Sequence, residues 1–316
     1  MKKSLLAVAV AAAVTFGAPA AKAEQYINVL TGGTSGVYYP LGVALSKLYS
    51  QALPDAKVAV QATKASVENL NLLQQGRGEV GFSLGDSVSG AWNGDEELGF
   101  TRKLDKLRGL AAIYPNYIQI VASRDSGITT LEDLKGKRVS VGAPRSGTEI
   151  NARAIFKAAG MSYDDLGKVE YLPFGESVEL IKNRQLDATL QSAGLGVASI
   201  RDLASSVPIT VVEIPADVVA QIGDPTYISS AIPAGTYEGQ NEDRQTVAII
   251  NYLVTTSDVP DDVVYAMTKA MFENRDQLVA AHSAAAGIDI KKATEGMPLP
   301  LHPGAERYYR EQGAMN

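Results

Sequence analysis

One segment of this chain is repeated at a constant offset of 111 residues. The stretches 28–36 (NVLTGGTSG) and 139–147 (VSVGAPRSG) both read as a strand, a loop of small residues, and a Ser-Gly pair that opens a helix. At the same offset Ser66 and Ser177 each precede Val-Glu, and we expect both serines to cap helices. A constant spacing over these segments predicts two similar structural units.

Short apolar runs alternate with helical patterns along both units, which is typical of α/β folds. We predict an α/β fold of two lobes, each a mostly parallel sheet flanked by helices, with crossover strands as hinges. Residues 24–123 and 228–316 are assigned to lobe I and residues 124–227 to lobe II, with hinges near 122–128 and 224–230. Ligands of open α/β sheets bind at the carboxyl ends of the strands, so the expected site is the cleft between the lobes.

The first 23 residues have the pattern of a secretory signal peptide. Lys2 and Lys3 precede an apolar run over 5–16, and small residues at 21 and 23 fit a cleavage site after position 23. The run is too short to span a bilayer, which disfavours the alternative of a membrane anchor. We therefore expect a periplasmic protein.

Composition narrows the classes of partner. The full chain carries 29 basic and 35 acidic side chains, and removal of Lys2, Lys3 and Lys22 with the signal peptide leaves a net charge of about −9. Such a balance argues against nucleic acid as a partner. Cysteine is absent and the two histidines are far apart, so we expect no metal and no cofactor. We expect a monomer.

The two repeated loops are the candidate ligand-binding elements. Glycines permit close approach of a ligand, and a helix N-terminus offers free N–H groups and a positive dipole end to a carboxylate. Arg145 adds a guanidinium that could pair with a carboxylate, although an exposed loop side chain is an equally good interpretation. The candidates in these loops are Thr34, Ser35, Gly36, Val37 and Tyr38 in the first, and Arg145, Ser146, Gly147 and Thr148 in the second.

Polar residues at the ends of two strands complete the candidate site. Ser83 and Gln191 are equivalent by the repeat, Asp86 follows the first of these strands, and Asn69 lies in the first turn of the Ser66 helix. Amide side chains suit a polar ligand and Asp86 could receive an amine. For each of these residues a structural hydrogen bond is an equally good interpretation.

Two functions other than the binding of a small ligand between the lobes are compatible with the sequence. Residues 81–85 (GFSLG) match the G-x-S-x-G motif of serine hydrolases, with Ser83 as the nucleophile and His282 or His302 as the base. The motif arises easily by chance in a chain with 29 glycines. The second alternative is a periplasmic ligand sensor, in which the ligand-bound protein docks on a kinase.

The loops and several longer segments resemble the TAXI family, the extracytoplasmic receptors of TRAP (tripartite ATP-independent periplasmic) transporters. The resemblance runs through nearly all of the chain after the signal peptide. It is carried by segments 31–42 (TGGTSGVYYPLG), 61–73 (QATKASVENLNLL), 125–152 (DSGITTLEDLKGKRVSVGAPRSGTEINA), 163–166 (YDDL), 232–240 (IPAGTYEGQ), 262–274 (DVVYAMTKAMFEN) and 301–311 (LHPGAERYYRE).

This resemblance implies a two-lobed periplasmic binding-protein fold of the type II-like class. It also implies a receptor without enzymatic activity that captures glutamate, glutamine or a dicarboxylate such as 2-oxoglutarate. It implies delivery of the ligand to a TRAP permease of two membrane subunits or one fused chain. By position, it adds Tyr114 to the candidate site. Two departures from the family pattern lie in the second lobe: Arg145 stands where glycine is usual, and residues 190–196 lack the usual aromatic pair.

Overall fold

The computed structural model describes residues 24–315, and the predicted signal peptide lies outside the described residues. The chain begins with a β-α-β-α-β unit, here called the first unit, and continues into a third helix and a long strand. The elements are β1 (Gln25–Leu30), α1 (Tyr38–Ala52), β2 (Ala56–Gln61), α2 (Ser66–Gln74), β3 (Val80–Leu84), α3 (Gly85–Asn93) and β4 (Leu107–Ser123).

A second β-α-β-α-β unit follows β4, and two further helices and a strand complete the lobe. The elements are β5 (Arg138–Ser140), α4 (Gly147–Ala158), β6 (Lys168–Glu170), α5 (Phe174–Lys182), β7 (Ala188–Ala193), α6 (Ala198–Ser206), β8 (Ile209–Val212) and α7 (Ala216–Ile222). The remaining elements are β9 (Ile228–Ile232), β10 (Arg244–Thr256), α8 (Asp261–Glu273), α9 (Arg275–Ala281) and α10 (Pro303–Glu311).

Strand pairing confirms the repeat that the sequence predicts. In the first unit β1 lies between β2 and β3 and pairs with both in parallel. In the second unit β5 lies between β6 and β7, again in parallel. The two units therefore have the same topology, and the predicted two-lobed α/β fold is confirmed.

Two long strands join the lobes into one sheet. In the described residues the strand order is β2-β1-β3-β10-β4-β7-β5-β6, with β8 on β4 and β9 on β10. Residues 251–254 of β10 pair with β3, and residues 244–248 pair with β9. Residues 117–122 of β4 pair with β7 of the second lobe. The crossover strands are therefore β4 and β10 themselves. The assignment of residues 24–123 and 228–316 to lobe I and of residues 124–227 to lobe II stays a prediction.

Apolar periodicity explains how the helices attach to the sheet. In α1, Leu41, Leu45 and Leu48 recur at helical spacing and are all buried. In the second lobe Ile155 and Phe156 of α4 lie in one buried cluster with the strand residues around them. The chain end packs on the first lobe, where Tyr309 of α10 is buried and its hydroxyl donates to the carbonyl of Leu110.

The predicted serine caps are wrong at both positions. Helix α2 begins at Ser66 itself, and the Ser66 hydroxyl accepts from the Leu84 N–H at 3.2 Å instead of capping the helix. Ser177 lies inside α5, where its hydroxyl donates to the carbonyl of Pro173. In both cases a tertiary or i−4 partner competes successfully with the local cap.

Candidate functional site

A cleft of about 110 Å³ lies between the two lobes. A cavity needs about 10–15 Å³ for one water, so the cleft has room for a molecule of roughly ten non-hydrogen atoms. The lining residues come from both lobes: Gly32, Gly33, Gly36, Val37, Tyr38, Thr63, Lys64, Ala65, Ser66, Leu84, Asn116, Ala143, Ser146, Gly147, Thr148, Pro173, Phe174, Ser192 and Ala193.

Four helices begin at the wall of this cleft. Helices α1 and α2 start at Tyr38 and Ser66 in the first lobe, and α4 and α5 start at Gly147 and Phe174 in the second. The first N–H groups of a helix have no partner within it, and the dipole places partial positive charge there. The repeat thus brings two pairs of helix N-termini to one cavity, which favours an anionic guest.

Side-chain charge contributes little to the cleft. Its lining contains one cationic side chain, the exposed Lys64, and no carboxylate. The positive potential of the site therefore comes mostly from backbone N–H groups of the four helices. Such groups suit a small carboxylate and require no buried ion pair.

A loop with a strained backbone places the N-terminus of α2 at the wall of the cleft. Ala65 precedes the helix with a φ of 68° and a ψ of −147°, a backbone conformation that is rare for residues other than glycine. The Thr63 hydroxyl holds this residue by accepting from its N–H at 3.0 Å. A β-carbon at Gly32 would lie 3.3 Å from the Ala65 β-carbon, so a glycine lets the two loops approach closely.

The floor of the cleft is polar. Tyr38 donates its hydroxyl proton to Asn251, and the Asn251 amide nitrogen donates to the carbonyl of Tyr114 at 2.9 Å. Burial raises the pKa of Tyr38 well above its ordinary value, and nearby Ser66 and Asn116 offset part of the rise. Tyr38 is therefore a neutral phenol at physiological pH.

The structure brings six of the predicted site residues to the cleft. They are Gly36, Val37, Tyr38, Ser146, Gly147 and Thr148. Ser146 caps α4, since its hydroxyl accepts from the Glu149 N–H at 3.2 Å. The prediction of these loops was based on glycine and serine residues that precede a helix. In the structure, the same residues lie where the chain turns toward the cleft.

Eight predicted residues lie outside the lining: Thr34, Ser35, Asn69, Ser83, Asp86, Tyr114, Arg145 and Gln191. Thr34 is exposed, and Ser35 faces the start of α5, where a β-carbon on Gly175 would lie 3.3 Å from its hydroxyl. Tyr114 is buried beneath the cleft, and its hydroxyl has no partner among the described residues.

Asn69 and Gln191 hold the framework of the site. The Asn69 amide nitrogen donates to the carbonyls of Thr31 and Phe82, and its oxygen accepts from the Thr63 hydroxyl. These bonds tie the first loop to β3. The Gln191 oxygen accepts from Ser199 at 2.6 Å, which anchors α6 on β7.

Asp86 links the lobes beside the cleft. One carboxylate oxygen accepts from the Asn151 amide at 2.7 Å and from the Tyr227 hydroxyl at 2.8 Å. The other accepts from the N–H of Ser87. Burial is the main cause that raises the pKa of Asp86 to about 6. Asn151 in turn accepts from Ser192, a residue of the cleft lining.

Arg145 is exposed and has a left-handed φ of 63°. We expect Arg145→Gly to change ligand affinity less than about threefold, because the side chain lies outside the cleft lining. Relief of backbone strain, about 1 kcal/mol, is offset by greater freedom of the unfolded chain, so unfolding free energy should move by less than about 1 kcal/mol. Calorimetric titration and thermal melts measure both quantities.

Arg184→Gly is the matched control for that substitution. Arg184 has a similar φ of 58° and also lies outside the cleft. A tenfold or greater loss of affinity in Arg145→Gly alone would restore Arg145 to the site.

The geometry disfavours a hydrolase centred on Ser83. The residue is fully buried within β3, one residue before its end, and its hydroxyl donates to the carbonyl of Leu84. A nucleophile elbow instead exposes its serine at the turn between strand and helix. His282 and His302 each accept from a backbone N–H at the start of a C-terminal helical segment. In residues 24–315 no group of three or more His, Cys, Asp or Glu could hold a metal ion.

The sequence interpretation missed the contribution of α5 and of the crossover strand. Phe174 and Pro173 line the cleft at a position equivalent to the start of α2, so the repeat could have predicted them. Asn116 lies in the middle of β4, and no local pattern marks that position as a site.

A model of the NMT1-like family matches residues 29–313. The chain belongs to the NMT1-like family. Within the part of the chain that the structure describes, no helix is long and apolar enough to cross a membrane.

Solved structures similar to this NMT1-like protein share its fold at low sequence identity. The periplasmic binding protein BugD has a TM-score of 0.57 at 11% identity, with 92% of this chain and 94% of that chain covered. A binding protein component of an ABC phosphonate transporter from Pseudomonas aeruginosa has a TM-score of 0.53 at 9% identity, with 84% and 80% covered. These likenesses establish the two-lobed periplasmic-binding-protein fold.

Proposed function

We propose that this protein is a periplasmic solute receptor that binds a small carboxylate between its lobes and delivers it to a TRAP permease. The observation that carries the proposal is the convergence of four helix N-termini on a cleft without carboxylates. Partial positive charge from backbone N–H groups stabilises an anion there. The two proteins of similar fold are binding proteins, which agrees with a receptor that makes and breaks no bond.

Closure of the lobes would complete the site. Each lobe supplies two of the four helix N-termini, so a ligand gains all its contacts only when the lobes approach. The hinge is proposed in the middle of β4 and β10, where β10 changes register between Ile250 and Tyr252. This position lies inside the crossover strands and away from 122–128 and 224–230, where the sequence suggested it.

The TRAP permease is the proposed partner because the TAXI resemblance covers loops on both lobes. The ligand candidates are glutamate, glutamine and dicarboxylates such as 2-oxoglutarate. A pull-down of detergent-solubilised permease subunits by the receptor, with and without ligand, tests the partnership. Recovery of an ABC transporter instead of a TRAP permease would contradict it.

A ligand screen tests the receptor function. We expect a small carboxylate to raise the melting temperature of the mature protein, because ligand at about a hundred times Kd stabilises the folded state by about 2.7 kcal/mol. Amino acids, hydroxy acids, oxo acids and dicarboxylates form the panel, with amines and neutral sugars as controls. Calorimetric titration then measures Kd. Failure of every carboxylate at millimolar concentration, or selective binding of an amine, would overturn the proposal.

Fluorophosphonate labelling separates the receptor from a hydrolase. We expect no covalent label on Ser83, since the residue is buried in a strand.

A further inference from the structure

Phe174 lies at the solvent end of the cleft. Most lining residues are buried, and those that reach solvent come from two loops of the first lobe and from the start of α5. We call this set the mouth of the cleft: Gly33, Gly36, Thr63, Lys64, Ala65, Pro173 and Phe174. Phe174 has the largest apolar side chain in the mouth, and it packs against the hydrophobic core. A ring held in this way forms a fixed part of the mouth.

One additional helical turn carries Phe174 to the mouth. By the repeat, Ser177 in α5 corresponds to Ser66 in α2, and α2 begins at its serine. Helix α5 instead begins at Phe174, three residues before its serine, which is about one turn of helix. The second lobe therefore presents an aromatic ring at a point where the first lobe presents only a loop.

Hydrogen bonds within the second lobe hold this turn in place. The Ser177 hydroxyl donates to the carbonyl of Pro173 at 3.0 Å and lies 2.7 Å from the hydroxyl of Ser140 on β5. The proline ring restricts the backbone of the residue that precedes the helix. The backbone that carries Phe174 is thus tied to the sheet of the second lobe, so the ring moves with that lobe.

The ring of Phe174 meets the first lobe at Gly36. A β-carbon on Gly36 would lie 3.8 and 3.9 Å from two of the ring carbons, which is ordinary van der Waals contact. Beside this pair, a β-carbon on Gly175 would lie 3.3 Å from the Ser35 hydroxyl. The lobes therefore approach each other closely at the mouth, and the ring occupies space into which a longer ligand would extend.

The volume behind the ring sets the length of ligand that fits. The cleft of about 110 Å³ has room for roughly ten non-hydrogen atoms. A longer ligand must displace the Phe174 ring or hold the lobes apart at Gly36. Because protein interiors are close-packed, either adjustment weakens binding.

We propose that Phe174 is a specificity-determining residue that sets an upper limit on the length of the carboxylate that the receptor binds. The proposal rests on the carboxylate-receptor function and deepens it, because it narrows the ligand to acids of about ten non-hydrogen atoms or fewer. The limiting contact joins the two lobes, so the limit acts on the closed form.

Three series of acids that differ only in chain length test the limit. They are succinate, glutarate, adipate, suberate and sebacate; propionate, hexanoate, octanoate and decanoate; and L-aspartate, L-glutamate, L-2-aminoadipate and L-2-aminosuberate. Burial of one methylene raises affinity about fourfold, so Kd should fall along a series until the cleft is full. We then expect Kd to rise about tenfold or more from adipate to suberate, from octanoate to decanoate, or from glutamate to aminosuberate. Calorimetric titration of the native mature protein measures these ratios.

Truncation of the ring should move the limit to longer ligands. Phe174→Ala frees space for up to about six further non-hydrogen atoms, so the longer acid of each pair should become the tighter ligand. The affinity ratio of the longer to the shorter acid should rise at least about tenfold over the native ratio. Phe174→Leu keeps more apolar volume and should move the limit less.

Phe272→Ala is the matched control for a structural effect. Phe272 of α8 is also partly buried, but its ring stacks on Tyr308 and lies outside the cleft lining. The substitution should lower the melting temperature and leave the length limit where it is in the native protein.

Each outcome bears on the proposal differently. Affinity of the native protein that continues to improve beyond adipate, octanoate or glutamate overturns the length limit and leaves the receptor function standing. A native limit that is unchanged in Phe174→Ala does the same, and Phe174→Leu decides this point if the alanine variant does not fold. If no acid of the three series binds, the length limit fails, and the wider ligand screen alone decides the receptor function.

Discussion

A β-carbon at position 147 is expected to weaken ligand binding, by about tenfold for Gly147→Ala and about 100-fold for Gly147→Val. Gly147 begins α4 at the point where the second lobe meets the first. A β-carbon there would lie 2.6 Å from both the Ser66 hydroxyl and the Leu84 side chain. Overpacking of this kind costs about 1–3 kcal/mol, and separation of the lobes relieves it. The substitution should therefore oppose closure and leave each lobe folded.

Calorimetric titration measures the loss, and small-angle scattering with saturating ligand measures whether the lobes close. Gly33→Ala is the matched control, because Gly33 also lines the cleft but a β-carbon there meets nothing within 4 Å. It should change Kd less than about threefold. Native affinity in Gly147→Val would show that binding does not need the approach of the lobes seen here.

The second large effect concerns the buried carboxylate of Asp86. Burial, with a smaller contribution from Asp224, raises its pKa from an ordinary 3.8 to about 6. The folded protein therefore binds this proton more tightly than the unfolded chain does. The stability from protonation is fully present below pH 3.8 and is lost as the pH rises through about 6.

We expect the unfolding free energy of the native protein, relative to Asp86→Asn, to increase by about 1–2 kcal/mol between pH 8 and pH 5. The amide also disturbs the bonds from Asn151 and Tyr227, but that change is the same at every pH. Urea denaturation across the pH range measures the difference. Tyr227 keeps its proton throughout, because burial raises its pKa well above the ordinary value.

Asp164→Asn, a charge-matched change at an exposed position, is the control. A pH dependence in Asp86→Asn equal to that of the native protein would rule out Asp86 as the titrating group.

Local patterns were sufficient to predict α1. A glycine-rich loop precedes this segment and its leucines recur on one face, and the helix is observed over Tyr38–Ala52. The caps were predicted less well, because Ser66 finds its partner in the N–H of Leu84, a residue distant in sequence. The apolar run over 118–122 is part of the much longer β4. Its first half pairs with β10, a strand more than a hundred residues away.

The sequence by itself determined the two units, their α/β class and the loops that begin α1 and α4, since these depend on residue spacing and on glycine and serine chemistry. Only the tertiary structure decided which polar residues reach the cleft. Asn69 and Asp86 carry donors and acceptors as suitable as those of Asn116, but these two residues bond within the protein and lie outside the cleft lining. Asn116 lines the cleft because β4 crosses between the lobes at that point, and such a position depends on long-range strand pairing.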